Sequence, residues 1–448
     1  MERTIGLWGA VVTLVGFVIG VSVFLLPGEL AVTAGPGVII SYGIASIMAL
    51  FSCVIAAQVG AIFPISGASF VYSTKMTAPF FGFLMVWLII SGVSMAIALV
   101  AHGFAAYFDL VVPGMNKSFV AVAIVLVFGV INLYGANASV RAQSLMVVLF
   151  MTVLLVFSVV GVAKIDSGLL IPFVPNGYGA VLLAAVPAFF SYSGFLMIVE
   201  IGGEIKNPSR TIPWALLISF LLVWLCYTAV SLVIVGQIPW QELAGNDAPV
   251  ATVAGIIFPA WAINVITLTI LAASATSING ILLGYSRDVY VLSRVRVLPE
   301  VFSRISSKHG DPYNSVLLLT ATSVIAVLMG AKISEYATVI VMALMVSQVV
   351  LGVATLRLPK IMPDSLHKAE FQIAPFWRVF FALGLIIFST IFLFIGAQGS
   401  PGSAVVLGLI LLTGVVYYLL RKNFMNSRGI NMEYGVMEHI EENVARLH

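Results

Sequence analysis

The residues of this chain best placed to do chemistry are interruptions in apolar runs, not nucleophiles or metal ligands. One run reads Gly16-Phe17-Val18-Ile19-Gly20-Val21-Ser22-Val23-Phe24-Leu25-Leu26-Pro27-Gly28, and another carries Ser191-Tyr192-Ser193-Gly194-Phe195 at its middle. Glycines alternating with β-branched residues weaken a helix. A helix broken there exposes backbone acceptors at the end of its first half and donors at the start of its second. Donors around Val21, Ser22 and Val23 would meet a carboxylate. Carbonyls near Ile19 and from Ser191 to Ser193 would meet an ammonium. No Lys or Arg stands at mid-run in any of these stretches. The chemistry is therefore recognition of a small zwitterion by main chain, with its side chain read by pocket shape. Gly16-x-x-x-Gly20 also spells a close helix-packing face. The matched interruption in the second run favours a binding site.

Catalytic constellations are missing. The chain has no His-Glu-x-x-His, no Gly-x-Ser-x-Gly and no phosphate-binding loop. Of five histidines only His102 falls in an apolar run, so no intramembrane histidine metal cluster forms. Cys53 and Cys226 sit within apolar runs and read as small buried hydrophobes. The expectation is a protein that is not an enzyme and holds neither metal nor cofactor.

The elements that must position the two interruptions follow from composition. Of 448 residues, 61% are hydrophobic and 9% charged, against roughly 25% charged in soluble proteins. About twelve runs are long enough to cross a bilayer. They fall at 5–33, 38–62, 80–108, 117–134, 142–163, 180–203, 213–235, 250–284, 314–331, 333–357, 376–396 and 403–420. Backbone groups in lipid must pair internally, so these are helices. The interruptions fall in the first and sixth. Five helices per half is odd, so two such halves lie inverted in the membrane. The expected division is a first repeat at 5–163, a second at 180–357, two further helices at 376–420 and a tail at 421–448. Of the 21 basic residues, only Lys117, Lys164 and Lys332 fall on one side, which makes that side external and both termini cytoplasmic. The expected location is the cell membrane.

Five further segments carry a family resemblance. Gly203-Glu204-Ile205-Lys206-Asn207-Pro208-Ser209-Arg210-Thr211-Ile212-Pro213 resembles the signature after helix 6 of the amino acid–polyamine–organocation transporters. Ile19 to Pro27 resembles their first-helix motif, and Phe63 to Tyr72 their link between helices 2 and 3. Asn132 to Gly135 with Arg141-Ala142-Gln143 resembles the link between helices 4 and 5, and Ser286 to Asn314 that between helices 8 and 9. The resemblance covers residues 5–357 in order. It implies an all-α integral membrane protein of the LeuT-type fold, a 5+5 inverted repeat with discontinuous helices 1 and 6 plus two C-terminal helices. It also implies transport of amino acids or amines by alternating access.

The resemblance implies site residues too. The family's Gly-small-Gly stands here as Gly20-Val21-Ser22, which narrows the space for an α-carboxylate. After Gly194 and Phe195 many members carry an acidic residue, where this chain has Leu196, which points to neutral, apolar amino acids. By position Phe190 becomes an aromatic lid, and Ser94, Ile97 and Ile281 line the side-chain pocket. Glu200, four residues after Leu196, is the candidate for proton coupling. Ser277, facing helix 1 by family position, is the candidate for a sodium ion, and exchange without an ion is a third option. Asp288 beside Arg287 reads as part of a cytoplasmic charge network. The alternative substrate is a small amine or organic cation, and a channel or sensor on the same scaffold is the alternative from another class.

Overall fold

The structure, a computed structural model, describes residues 5–63, 68–133, 140–200, 202–305, 312–369 and 371–445. Parts of the motifs at 64–67, 134–139 and 306–311 lie outside them, as do the side chains of Arg141, Ala142 and Gln143. The helices in chain order are α1 (Leu7–Ile19), α2 (Ser22–Ala34), α3 (Val38–Ile62), α4 (Ala68–Met76), α5 (Pro79–Phe108), α6 (Lys117–Leu133), α7 (Val140–Val162), α8 (Gly177–Ala188) and α9 (Met197–Glu200). They continue as α10 (Pro208–Val235), α11 (Pro249–Ile257), α12 (Ala260–Arg294), α13 (Tyr313–Leu328), α14 (Ile333–Ile361), α15 (Pro363–Lys368), α16 (Pro375–Gly399), α17 (Pro401–Ser427) and α18 (Met432–Ala445). Among the described residues, eight helical stretches are long and apolar enough to cross a membrane, and α1, α6, α13 and residues 146–162 of α7 are shorter apolar helices. With α1 joined to α2 and α8 to α9, these account for the twelve expected runs.

Local sequence sets the helix starts. α5, α10, α11, α15, α16 and α17 each open on a proline, where the missing N–H costs no hydrogen bond. The ninth and tenth runs part at Gly330, whose φ of +63° a side chain would oppose. The eighth run departs from its expected bounds. Phe258 and Pro259 are extended, so residues 249–257 form the separate helix α11, and α12 runs on to Arg294. Pro259 can donate no hydrogen bond and pushes its predecessor out of the helical region. Beyond 284 the sequence turns polar, so hydropathy fades where the helix does not.

The packing carries the two-fold relation. α3 packs on α10, α5 on α12 and α6 on α13, each span against its counterpart five spans later. The interrupted spans meet where α1 touches residues 189–196. Polar side chains join spans across the interior: Asn132 Nδ2 donates to Asn279 Oδ1 at 2.8 Å, and Tyr107 Oη to the Phe24 carbonyl at 2.9 Å. α16 and α17 flank α14, with large apolar side chains such as Phe376, Phe394 and Leu420 turned outward.

Two contacts tie the ends of the fold. Ile5 forms a single β-bridge with Ile205: the Ile5 N–H donates to the Glu204 carbonyl at 3.0 Å and the Lys206 N–H to the Ile5 carbonyl at 2.8 Å. At the C-terminus, α18 buries Met432, Val436 and Ile440, one stripe at helical spacing, against α4, α5 and α17. Glu441 pairs with Lys75 at 3.1 Å, and Glu433 with Lys422 at 2.8 Å. The Lys422 ammonium, and then the Tyr418 hydroxyl, hold the Glu433 carboxyl below its ordinary range. A depressed carboxyl contributes stability above its unfolded pKa and loses it as pH falls through the folded value. Docking of α18 is therefore expected to be unchanged from pH 8 to 5 and to loosen below about 4.5, the ordinary glutamate value. Hydrogen exchange at residues 432–440 checks this; protection that fades near neutrality would contradict it.

Candidate substrate site

The site is built where two helices stop. α1 ends at Ile19, and Gly20 takes φ +45° and ψ −141°, which a residue with a Cβ resists. A Cβ there would also stand 3.2 Å from Ser277 Oγ. α2 restarts at Ser22 with Val21 as its cap. In the sixth span Pro187 closes α8, residues Phe189–Leu196 wind as a 3-10 helix, and α9 follows. Such a stretch inside a longer helix leaves poorer hydrogen bonds and marks a hinge or functional segment. The two breaks touch main chain to main chain: a Cβ on Gly194 would lie 3.1 Å from Val18 Cα and 3.3 Å from Val18 N.

Between them lies a cavity of about 120 Å³. That is small beside the roughly 300–1,000 Å³ of sites for drug-sized ligands. Ile19, Gly20, Val21 and Ser22 from the first break line it, with Phe190, Ser193, Gly194 and Leu196 from the second and Ser277 and Ile281 from α12. Ten of the residues singled out from sequence are thus brought together. Val23 and Ser191 are buried beside the cavity but do not line it. Ser94 and Ile97 also stay off its wall. Ser94 Oγ lies 2.8 Å from Thr322 Oγ1 on α13, and Ile97 is fully buried. The face that α5 turns to the cavity is instead Leu88, Ile89, Gly92, Val93, Ala96 and Val100, rotated by one to two positions from the expected one. Glu200 closes α9, and its side chain lies outside the described residues.

Sequence reading missed part of the wall. Asp288 lines the cavity, while its neighbour Arg287 is exposed. Asp288 is seven residues beyond Ile281, about 10 Å along the helix, and marks one end of the cavity with Phe17, Tyr285 and Met197. The Ile19 carbonyl, expected to be free, is contacted by two hydroxyls: Ser22 Oγ at 2.9 Å and Tyr227 Oη at 3.2 Å. Tyr227 stacks on Tyr42 at 5.2 Å, and Tyr192 Oη donates to the Tyr42 carbonyl at 3.3 Å. These three tyrosines are buried together behind the break. Their signal in the sequence was a hydroxyl-bearing ring at the middle of an apolar run, which needs a buried partner. Ser277 and Thr276 both donate to the Ala273 carbonyl of their own helix.

Comparison with known proteins agrees with the geometry. The amino acid permease family matches residues 5–416. The chain belongs to the amino acid permease family. The permease is 28% identical to the branched-chain amino acid permease BcaP of Bacillus subtilis (strain 168), over 81% of this chain and 82% of the relative. It is 27% identical to BcaP of Lactococcus lactis subsp. cremoris (strain MG1363), over 91% and 92%. A methylthioribose transporter of Bacillus subtilis (strain 168) is 26% identical over 83% and 84%. The permease is a multi-pass membrane protein of the amino acid–polyamine–organocation superfamily, and a transporter, not an enzyme.

The contact between the breaks gives a test. Gly194→Ala pushes a methyl against the Val18 backbone, and overpacking of this kind costs about 1–3 kcal/mol. A lowered Tm in detergent and reduced uptake are expected. Gly280→Ala, with open space around its Cβ, is expected to leave both unchanged. Equal behaviour of the two variants would show that the breaks are not in close contact.

Proposed function

We propose that this permease moves neutral, apolar amino acids across the cell membrane by alternating access, with both termini in the cytoplasm. The observation that carries this reading is a small cavity framed by both interrupted helices, with apolar walls apart from main chain, hydroxyls and one terminal carboxylate. The substrate carboxylate sits at the N-terminus of α2, on the N–H groups of Val21, Ser22 and Val23, where the helix dipole favours an anion. Its ammonium is met by carbonyls of the two breaks, Ile19 and those from Phe190 to Ser193. Leu196, Phe190, Ile281 and the α5 wall take the side chain. Two relatives named for branched-chain amino acids support this substrate class.

Two carboxyls suit coupling to protons, Glu200 at the end of α9 and Asp288 at the end of the cavity. Exchange of one substrate for another needs neither. A sodium ion is the lesser option, since it needs several converging oxygens and, of Thr276 and Ser277, only Ser277 lines the cavity. Asp288 on the wall favours one second reading, a small amine or organic cation.

Thermal stabilisation of the purified protein by a panel of amino acids and amines, followed by uptake into liposomes, separates the two. Leucine, isoleucine and valine are expected to stabilise it. Stabilisation by amines that lack a carboxylate, and by nothing else, would overturn the amino acid reading. Leu196→Glu is expected to weaken binding of apolar amino acids at least tenfold, since it buries a carboxylate against the substrate's apolar side chain. Unchanged affinity would remove Leu196 from the pocket. If protons drive uptake through Glu200, Glu200→Gln abolishes the pH dependence of uptake while exchange persists; an unaltered pH profile would clear that residue of the role.

A further inference from the structure

We infer that Tyr227 is a positioning residue that sets how strongly the permease discriminates an amine from a neutral group at the α-position of its substrate. The inference rests on the amino acid reading above and deepens it. Three oxygens meet at the first break: the Ile19 carbonyl, Ser22 Oγ and Tyr227 Oη. Their separations are 2.9, 2.6 and 3.2 Å for Ser22–Ile19, Ser22–Tyr227 and Tyr227–Ile19. The two hydroxyls hold two protons for three contacts. The Ile19 carbonyl therefore accepts from at least one of the two hydroxyls, while the other stands against its second lone pair. The phenol cannot swing aside. Its ring is fully buried, stacked on Tyr42 at 5.2 Å and packed against Tyr192 at 5.9 Å.

Ile19 and Ser22 line the cavity, and Tyr227 stands behind them. A substrate ammonium that donates to the Ile19 carbonyl must therefore compete with hydroxyls the protein has placed there. Tyr227 acts on the substrate only through that carbonyl. A substrate with a hydroxyl at the α-carbon has fewer protons to donate and loses less by finding the acceptor occupied. Ser22 completes the clamp.

The test is competition for leucine uptake in proteoliposomes, with leucine and its α-hydroxy analogue, 2-hydroxy-4-methylpentanoate, as unlabelled competitors. In Tyr227→Phe the ratio of the two inhibition constants is expected to move about fivefold in favour of leucine, the worth of one net hydrogen bond. Ser22→Ala removes the other half of the clamp and is expected to move the ratio the same way, so the inference stays testable if the tyrosine variant does not fold. Both constants shifting in parallel, with leucine uptake intact, would overturn the inference and leave the transport reading standing. A wild-type protein that neither takes up leucine nor yields to it in competition would overturn both.

Discussion

A helix broken inside a bilayer strands main-chain donors and acceptors where no lipid can pair them. That constraint organises the permease. Its two breaks lie back to back, so that Gly194 rests on the Val18 backbone. Three of the spans packed around them supply contacts to the first break. α10 brings the Tyr227 hydroxyl to the Ile19 carbonyl, α3 brings the ring that holds Tyr227, and α12 brings Ser277 to within contact of Gly20. Irregular backbone is tolerated at membrane depth where it is buried in protein or lines a cavity, and residues of both breaks line one here.

The pseudo-symmetry follows from the same constraint. One broken helix leaves one set of ends; the two breaks of this chain bring two sets to one cavity. The pairing of α3 with α10, α5 with α12 and α6 with α13 keeps the two halves in register around that cavity. Small residues make the close approaches possible, Gly16 against Val147 and Gly103 against Leu25 among them.

Much of this was legible in the sequence. Hydropathy marks the spans because each must be apolar along its whole length, and glycine between β-branched residues marks the breaks because a helix resists both. What hydropathy cannot mark is rotation. An apolar helix with neighbours on all sides has no polar face to orient it, so the cavity face of α5 was displaced from Ser94 and Ile97 to Gly92, Val93 and Ala96. The end of α12 was lost for the opposite reason: its last turns are polar, and hydropathy read them as loop. The tyrosine cluster was missed because each ring, taken alone, reads as another large apolar residue. Only the fold brings Tyr42, Tyr192 and Tyr227 together from three separate spans and sets the last of them on the Ile19 carbonyl.

The bridge between Ile5 and Ile205 has a mechanical consequence. It joins the start of α1 to the segment just after α9, and thus the near ends of both interrupted spans. Any motion that parts these two half-helices must break both hydrogen bonds or carry the loop along, so the pair behaves as one lever with a shared handle. Because the handle is main chain on both sides, side-chain changes at 5 or 205 leave its bonds in place. Proline at 5 or 206 would remove a donor. The lever can therefore be uncoupled from far outside the cavity, by changing the backbone's ability to bond and nothing in the site itself.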